Sequence, residues 1–572
     1  MFKPSIVPRM FALPCGTDFP RALVDGLIQR GNGQPPEALA KVELIVNTQR
    51  MERRVRSLFD AGPNLLLPRI SLLSDLSKRA TLHGLPTALP VLRRRLELSQ
   101  LVAKLLDADP SLAARSSLYD LSDSLAALFD EMQGEGVTTD AIRNLDVSDM
   151  SDHWARAQKF IGIADEFTSA HSGAMDVQAR QRQMVLDLID IWQENPPQHP
   201  VILAGSTGSR GTTLLLMQAI ARLPQGAVVL PGFDFDLPSQ VWAGLDDPLI
   251  SEDHPQFRFH KLMTGLDLAP GDIKSWCDNA PPAPARNQLV SLSLRPAPVT
   301  DAWMTEGPKL TDLDKAAENV TLIEAPNPRG EALAIALRLR QAAEDGQTAA
   351  LITPDRMLSR QVSAALDRWD ILPDDSAGQP LQLSPPGRFL RHVAELFCKE
   401  LTGDSLLTLL KHPLTRSGDN RNTHALYTQW LELRIRKIGL PYPDRNSLIS
   451  CAKHMAKDNP ANVEAWAIWV GDLVCDQNSQ MRLPLRDWVE RHLALSESLA
   501  SGPDPSRPGT LWEKSSGEAA YTAMEELRDE AQHGGVMSAS DYIALVGQLL
   551  AQGEVREPRA SHGGIMIWGT LE

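Results

Sequence analysis

The chain has 572 residues, of which 43% are hydrophobic and 23% charged, and its formal net charge is −15. This length is too great for one ordinary hydrophobic core, so several domains are expected. The acidic balance excludes a protein coated with phosphate-binding surface, although it leaves room for a local basic channel. No apolar run reaches the roughly 18–20 residues of a membrane span, so no membrane partner is expected.

The cysteines and the N-terminus indicate the compartment. The five cysteines are far apart and form no Cys-x-x-Cys pair, a pattern typical of reduced thiols. Three prolines, Pro4, Pro8 and Pro14, interrupt the N-terminal segment, which has no continuous apolar stretch. A secretory signal is therefore not expected, and the predicted location is cytoplasmic. The scattered histidines and cysteines predict no metal site.

The first part of the chain alternates strand-like and helix-like segments. Strand-like patterns occur at 9–14 (RMFALP), 42–47 (VELIVN), 65–76, 201–204 (VILA) and 227–230 (AVVL). Helix-like spacing lies between them at 19–30, 49–59 and 213–222, and residues 92–195 carry helical spacing alone. This alternation predicts a parallel sheet covered by helices, interrupted by a helical insertion.

The second part repeats this layout. After a proline- and alanine-rich stretch at 270–314, expected to be irregular, strand-like patterns follow at 320–324 (VTLIE) and 349–353 (AALIT). Residues 405–554 are mostly helical, and a buried-strand pattern, IMIW, lies close to the end of the sequence. A downstream portion is expected after it, with a C-terminal edge strand as the alternative.

The predicted fold class is α/β, with two parallel-sheet domains that each carry a helical insertion. The first sheet domain is assigned to 1–91 and 196–300, its insertion to 92–195, a linker to 301–318, the second sheet domain to 319–404 and 556–572, and its insertion to 405–555.

The loop GSTGSRGTT lies between the strand at 201–204 and a helix, where phosphate-binding loops occur. A Walker A loop needs a lysine after its last glycine, but Thr212 occupies that place, and Ser206 replaces the first required glycine. ATP hydrolysis here is therefore not expected. A turn that holds a nucleic-acid phosphate and a merely tight glycine turn both remain open. The candidate contacts in this loop are Gly205, Ser206, Thr207, Gly208, Ser209, Arg210, Gly211 and Thr212.

The other place for a Walker A loop follows the first strand. It contains one glycine and no lysine, and Pro20 lies at the expected helix start. The sequence AVVLPGFDFD lacks the Asp-Glu pair of a Walker B strand, and Asp234 and Asp236 are interpreted as turn residues rather than metal ligands. No ATPase motif set is complete, so no catalytic residue is assigned.

Basic residues cluster on the helix at 49–59, directly after the polar strand end Asn47-Thr48-Gln49. Single basic clusters usually form solvated surface, but several together are able to line a channel that neutralises single-strand phosphates. The candidate contacts here are Asn47, Thr48, Gln49, Arg50 and Arg53. Arg54 and Arg56 share the helix, and further clusters occur at 93–95 and at 434, 436 and 437.

Several segments resemble the AddB family in its alphaproteobacterial form. Among them are VELIVNTQRMERRVRSLFDAGPNLLLPRI, ILAGSTGSRGTTLLLMQAIARLPQGAVVLPGFDFDLP and ALITPDRMLSRQVSAALDRWDILPDDSAG. The resemblance extends across nearly the whole chain. It implies a subunit of the AddAB helicase–nuclease, which processes double-strand DNA ends for homologous recombination. It also implies two RecA-like domains of the superfamily 1 helicase type.

The resemblance further implies partners and missing parts. In the family, AddA is the motor that uses ATP and magnesium, and AddB scans DNA for the recombination hotspot Chi. A C-terminal nuclease domain with an iron–sulphur cluster completes AddB, but its motifs are absent here, so no cofactor is expected in these residues. Polar strand ends that look like Asn47, Thr48 and Gln49 face the single-strand path in the family.

The sequence thus predicts a helicase-like, non-catalytic DNA-scanning and scaffold portion of AddB. Its expected partners are AddA and DNA, both duplex ends and single strands. Two alternatives remain: an active ATP-binding helicase subunit that uses the loop at 205–213, and an interaction scaffold that does not bind DNA.

Overall fold

The computed structural model describes residues 1–3, 5, 7–75, 85–144, 175–207, 210–278, 280–376, 378–455, 460–478, 480–556 and 563–569. Its contacts divide the chain into two compact units. Unit 1 comprises Met1–Leu89 and Ala127–Leu322, and unit 2 comprises Pro90–Ala126 and Ile323–Glu572. The segment predicted as the first helical insertion, 92–195, is thus divided between the two units.

Unit 1 is built on a six-stranded sheet in the order β3-β2-β4-β5-β1-β6, and every neighbouring pair in it is parallel. Its strands are β1 Met10–Pro14, β2 Glu43–Val46, β3 Arg69–Leu72, β4 Val201–Ala204, β5 Gly226–Phe233 and β6 Lys274–Ser275. The predicted α/β class with a parallel sheet is confirmed. The order places β1 inside the sheet, between β5 and β6.

Helices make up most of the remaining described chain. In order they are α1 Phe19–Gly31, α2 Gln49–Asp60, α3 Val91–Ala108, α4 Leu118–Glu135, α5 Thr139–Arg143, α6 Val177–Glu194, α7 Gly211–Arg222, α8 Ser239–Ala243, α9 Pro248–Ser251, α10 Phe257–Thr264, α11 Pro284–Ser293, α12 Ala302–Glu306, α13 Leu313–Ala317, α14 Pro328–Glu344, α15 Arg356–Asp367, α16 Pro385–Glu395, α17 Gly403–Lys411, α18 Arg421–Ile438, α19 Arg445–Met455, α20 Pro460–Val474, α21 Leu485–Ser501, α22 Lys514–Asp529 and α23 Ala539–Gln552. Among the described residues, no helix is both long and apolar enough to cross a membrane.

The sheet of unit 1 is buried on both faces. Successive residues of β4 alternate between two hydrophobic clusters, with Val201 and Leu203 in one and Ile202 and Ala204 in the other. This alternation follows from the two-residue period of a strand. Parallel sheets need helices on both faces, which explains why the strands read as nearly continuous apolar runs in the sequence.

Unit 2 contains a smaller parallel sheet in the order β7-β13-β8, formed by β7 Ala349–Ile352, β13 Ile565–Trp568 and β8 Asp374–Asp375. The predicted buried strand IMIW is confirmed, because Ile565 and Ile567 are buried in β13. Two antiparallel pairs complete the strands of the unit: β9 Gln379–Pro380 with β12 Glu554–Val555, and β10 Leu483–Pro484 with β11 Val536–Met537.

Two predictions of local structure are wrong. Residues 320–324 (VTLIE) form no strand in the described chain, and Leu322 is 83% exposed. Local β-propensity was present there, but no neighbouring strand pairs with the segment. The stretch 270–314 is not irregular, because it contains β6, α11, α12 and the start of α13. Its Pro284 begins α11, a position where proline favours a helix.

Candidate nucleic-acid interface

The turns after β2 and β4 leave the sheet side by side. Val46 pairs with Ala204 at the ends of these parallel strands, so residues 47 and 205 emerge at the same edge. Gly205 has a φ of +83°, and a Cβ built on it would lie 3.2 Å from the Asn47 Oδ1 and 3.5 Å from the Phe19 ring. The structure therefore brings together the two segments that the sequence singled out separately.

The turn after β2 leads directly into α2. Thr48 is the N-cap of this helix, and its Oγ1 accepts a hydrogen bond from the Met51 N–H at 3.1 Å. Because its hydroxyl satisfies one of the free N–H groups at the helix start, Thr48 positions the helix. The neighbouring Asn47 and Gln49 are exposed. They are the two side chains of this strand end that face solvent.

Helix α2 is amphipathic, because Met51, Val55 and Phe59 bury one face at four-residue spacing. The rest of the helix carries four arginines and two acidic residues, Glu52 and Asp60. Its net charge is therefore +2, whereas that of the whole chain is −15. Several of these arginines lie in its N-terminal half, where the helix dipole disfavours cations. An anion bound there would relieve this repulsion.

The arginines of α2 differ in how freely their charge is available. Arg54 lies 3.5 Å from the Asp18 carboxylate, and Arg56 pairs with Glu52 at 2.9 Å. Arg50 is half-buried and already engaged in an interaction. Arg53 is exposed and forms no ion pair with any described residue. Of the four, Arg53 is the arginine best placed to meet a phosphate.

In the turn after β4, the arginine is held in ion pairs. The Arg210 guanidinium pairs with the Glu131 carboxylate at 2.7 Å and also with the Glu252 carboxylate. Ser206 is buried and Thr207 is exposed, while Gly208 and Ser209 lie outside the described residues. Two carboxylates already neutralise the charge of Arg210, so a phosphate would have to displace them to reach it.

The start of α7 is covered by the end of α4. Gly211 has a φ of +53°, and a Cβ on it would collide with the backbone carbonyl oxygen of Gly134. The buried Thr212 donates a hydrogen bond from its Oγ1 to the same oxygen at 3.4 Å, and Arg182 donates to it at 2.7 Å. A peptide carbonyl thus lies where a phosphate-binding loop would hold its ligand.

In the turn after β1, the other possible phosphate loop, a side chain of the protein occupies the helix start. The Asp18 carboxylate caps α1 and accepts a hydrogen bond from the Arg21 N–H at 3.3 Å. Cys15 donates from its Sγ to the Gly232 carbonyl at 3.2 Å, and burial, followed by the nearby Asp234, raises the pKa of its thiol. A carboxylate at the helix start repels a triphosphate, so this turn does not suit nucleotide binding.

The aspartates after β5 stabilise their own turn. The Asp234 Oδ1 accepts a hydrogen bond from the Asp236 N–H at 2.9 Å. Burial, followed by the charge of Asp234, raises the pKa of the Asp236 carboxyl. The two residues therefore serve as turn formers, as the sequence suggested.

The basic cluster at 93–95, considered as channel lining from the sequence, holds helices of unit 2 together. Arg93 pairs with Glu97 at 3.0 Å. The buried Arg94 donates to the Ala126 carbonyl at 3.0 Å, and the buried Arg95 pairs with Asp123 at 2.7 Å. Neither buried arginine presents its charge to a nucleic acid, so their role as channel lining is not supported.

Sequence reasoning missed several residues that shape this edge. Phe19 lies half-buried against Gly205, and Asp18 holds Arg54. Glu131 and Glu252 hold Arg210 from 79 and 42 positions away in the sequence. No motif links such distant residues, and only the fold brings them together.

Comparison of the sequence with protein-family models finds no match, and a search of curated proteins finds none either. The site is therefore characterised by its geometry: a parallel-sheet edge with exposed amides, an exposed arginine that pairs with no described residue, and two phosphate-loop positions occupied by groups of the protein itself.

Proposed function

We propose that the chain is a helicase-like, non-hydrolysing DNA-scanning and scaffold portion of AddB, which works beside AddA on double-strand DNA ends. In this proposal, single-stranded DNA passes over the edge of unit 1 formed by the turns after β2 and β4. ATP and magnesium act in AddA. The observation that carries the proposal is the juxtaposition of Asn47 with Gly205 at the start of α2, a helix that carries the exposed Arg53, which has no ion pair with a described residue.

A RecA-like, superfamily 1 architecture for unit 1 is part of the proposal. It is supported by the all-parallel sheet, by the interior position of β1 and by the long helical stretch between β3 and β4. Ligands of open parallel sheets bind outside the carboxyl ends of the strands. Asn47 and Gly205 lie at that edge.

The absence of hydrolysis is supported by chemistry as well as by the missing lysine. Phosphoryl transfer depends on positioned cations around the β- and γ-phosphates. At one possible loop, Asp18 presents a carboxylate, and at the other the Gly134 carbonyl and two glutamates surround the start of α7. These groups place hydrogen-bond acceptors at both helix starts, where ATP phosphates, themselves acceptors, would need donors and cations.

Photo-crosslinking of the chain in complex with AddA tests the DNA path. Oligothymidylate with 5-iodouracil at successive positions should give adducts within 47–53 or 205–212, mapped by mass spectrometry. Phe59, which is buried on the opposite face of α2, is the negative control and should give no adduct. An absence of adducts in both segments would remove the DNA path and favour the interaction scaffold.

Equilibrium binding of MgATP tests the non-hydrolysing part separately. The isolated chain should show no saturable binding at millimolar concentration, while AddA binds under the same conditions. The ion pairs of Arg210 with Glu131 and Glu252 favour this result, because both would have to break for the arginine to contact ATP. Tight, magnesium-dependent binding would instead support the active ATP-binding subunit.

A further inference from the structure

A second cluster of basic groups lies in unit 2, around His412 at the end of α17. His412 is 92% buried, since 8% of its surface is exposed. Its ring packs against Phe389 with centroids 5.2 Å apart and against His392 at 6.4 Å. The cluster shares no residue with the edge of unit 1 described above.

The hydrogen bonds of His412 fix its tautomer. The Nδ1 accepts a hydrogen bond from the Leu414 N–H at 3.3 Å, so this nitrogen carries no proton. The proton of the neutral ring is therefore on Nε2, which makes that nitrogen a donor. Nε2 is buried and has no hydrogen-bond partner among the described residues. A buried donor without an acceptor is uncommon and calls for an explanation.

The surroundings of His412 are positively charged. Burial, the neighbouring His392, Arg388 and Arg421 together lower the pKa of His412 to about 4. Arg388 is exposed and forms no ion pair with any described residue. Arg421 is committed to backbone, because it donates to the carbonyls of Leu410, Lys411 and Thr415.

The nearby carboxylates are already paired with other cations. Glu395 pairs with Lys399 at 2.9 Å and lies 3.9 Å from His392. Glu432 pairs with Lys411 at 2.6 Å and with Arg436 at 2.8 Å. None of them supplies the acceptor that the His412 Nε2 lacks.

We propose that Arg388, His392 and His412 form a binding site for a phosphate group. A phosphate oxygen is the acceptor that the Nε2–H of His412 lacks, and its charge suits the free guanidinium of Arg388. His392, whose side chain is 34% exposed, follows Arg388 by four residues on the same helix, and its ring lies against that of His412. Because Nε2 is buried, phosphate binding there requires the side chains around it to move. The group belongs either to inorganic phosphate or to the backbone of a nucleic acid.

Two substitutions at His412 separate the donor from the acceptor. His412→Asn keeps an acceptor near Nδ1 and removes the donor, whereas His412→Gln places an amide N–H near Nε2. Arg388→Gln removes the free charge from an exposed position, so it does not endanger the fold. Arg486→Gln is the matched control, because Arg486 is also exposed and without an ion pair to described residues.

Calorimetric titration of the full chain with inorganic phosphate, at constant ionic strength, tests the site. His412→Asn and Arg388→Gln should weaken phosphate binding at least tenfold, while His412→Gln and Arg486→Gln should stay close to the unmodified chain. Equal affinity in all five proteins, or no phosphate binding by the unmodified chain, would overturn the proposal.

Competition with oligothymidylate identifies the source of the phosphate. If the oligonucleotide displaces inorganic phosphate from the unmodified chain, the site binds nucleic-acid backbone. If phosphate binds and the oligonucleotide does not compete, the site takes a free phosphate. Either result supports the site, and it stands whether or not DNA crosslinks to residues 47–53 of unit 1.

Discussion

The turns after β2 and β4 lie next to each other at one sheet edge, yet they expose their cations differently. After β2, Arg53 is exposed and without an ion-pair partner among the described residues. After β4, Arg210 is held between Glu131 and Glu252. The helix starts differ in the same way, because Thr48 leaves the start of α2 accessible and the end of α4 covers the start of α7. Equivalent positions in a fold therefore need not offer equivalent binding chemistry.

The largest expected effect concerns the covered turn. Gly211→Ala should lower the free energy of unfolding by about 3 kcal/mol, because alanine is strained at positive φ and its Cβ would collide with Gly134. Urea unfolding followed by circular dichroism measures this loss. Gly31→Ala is the control, since Gly31 ends α1 with open space around it, and it should change stability little. Equal effects of the two substitutions would mean that the end of α4 does not cover α7.

The open turn should be less sensitive. Thr48→Ala removes the N-cap hydrogen bond of α2 and should cost about 1 kcal/mol of stability. Ser57→Ala, on the exposed face of the same helix, serves as the control and should change stability by less than about 0.5 kcal/mol. The same urea experiment compares them. If Thr48→Ala left the free energy of unfolding unchanged, Thr48 would not stabilise the start of this helix.

DNA affinity tests the difference in exposed charge. Arg53→Gln should weaken single-strand binding about fivefold at 0.1 M salt and reduce the slope of log K against log salt by about 0.7. Fluorescence anisotropy with labelled oligothymidylate measures both quantities. Arg56→Gln is the control, because Arg56 is paired with Glu52 on the same helix. If both substitutions weaken binding equally, the helix acts through its overall charge and not through Arg53.

The smallest expected effect comes from releasing Arg210. Replacement of both Glu131 and Glu252 by glutamine should strengthen single-strand binding by about threefold, which is less than one full phosphate contact. Glu135→Gln is the control, since Glu135 lines the same cavity of about 460 Å³ but does not pair with Arg210. Unchanged affinity in the double variant would exclude Arg210 from the DNA path and leave the turn after β4 with a structural role.

The sheet of unit 1 was predictable because its strands are buried. The patterns at 201–204 and 227–230 are apolar on both faces, as expected for strands of a covered parallel sheet. The strand prediction at 320–324 failed for a related reason. Its residues favour a strand, but a strand needs a neighbour, and the sequence of one segment does not say whether a neighbour exists.

The candidate site was predictable only in part. The glycine-rich loop and the polar strand end stood out locally, and the order of the strands brought Asn47 and Gly205 together. Whether Arg53 or Arg210 is available was not predictable. That depends on carboxylates far away in the sequence, and neither helical spacing nor any motif points to Glu131 or Glu252.

The carbonyl of Gly134 has a consequence for how unit 1 is maintained in the cell. A nucleotide-binding turn is ordered most fully when its ligand is present, so its geometry follows the supply of that ligand. Here the occupant of the turn is part of the polypeptide, and its local concentration never changes. The conformation of this sheet edge should accordingly be the same in energy-rich and in starved cells.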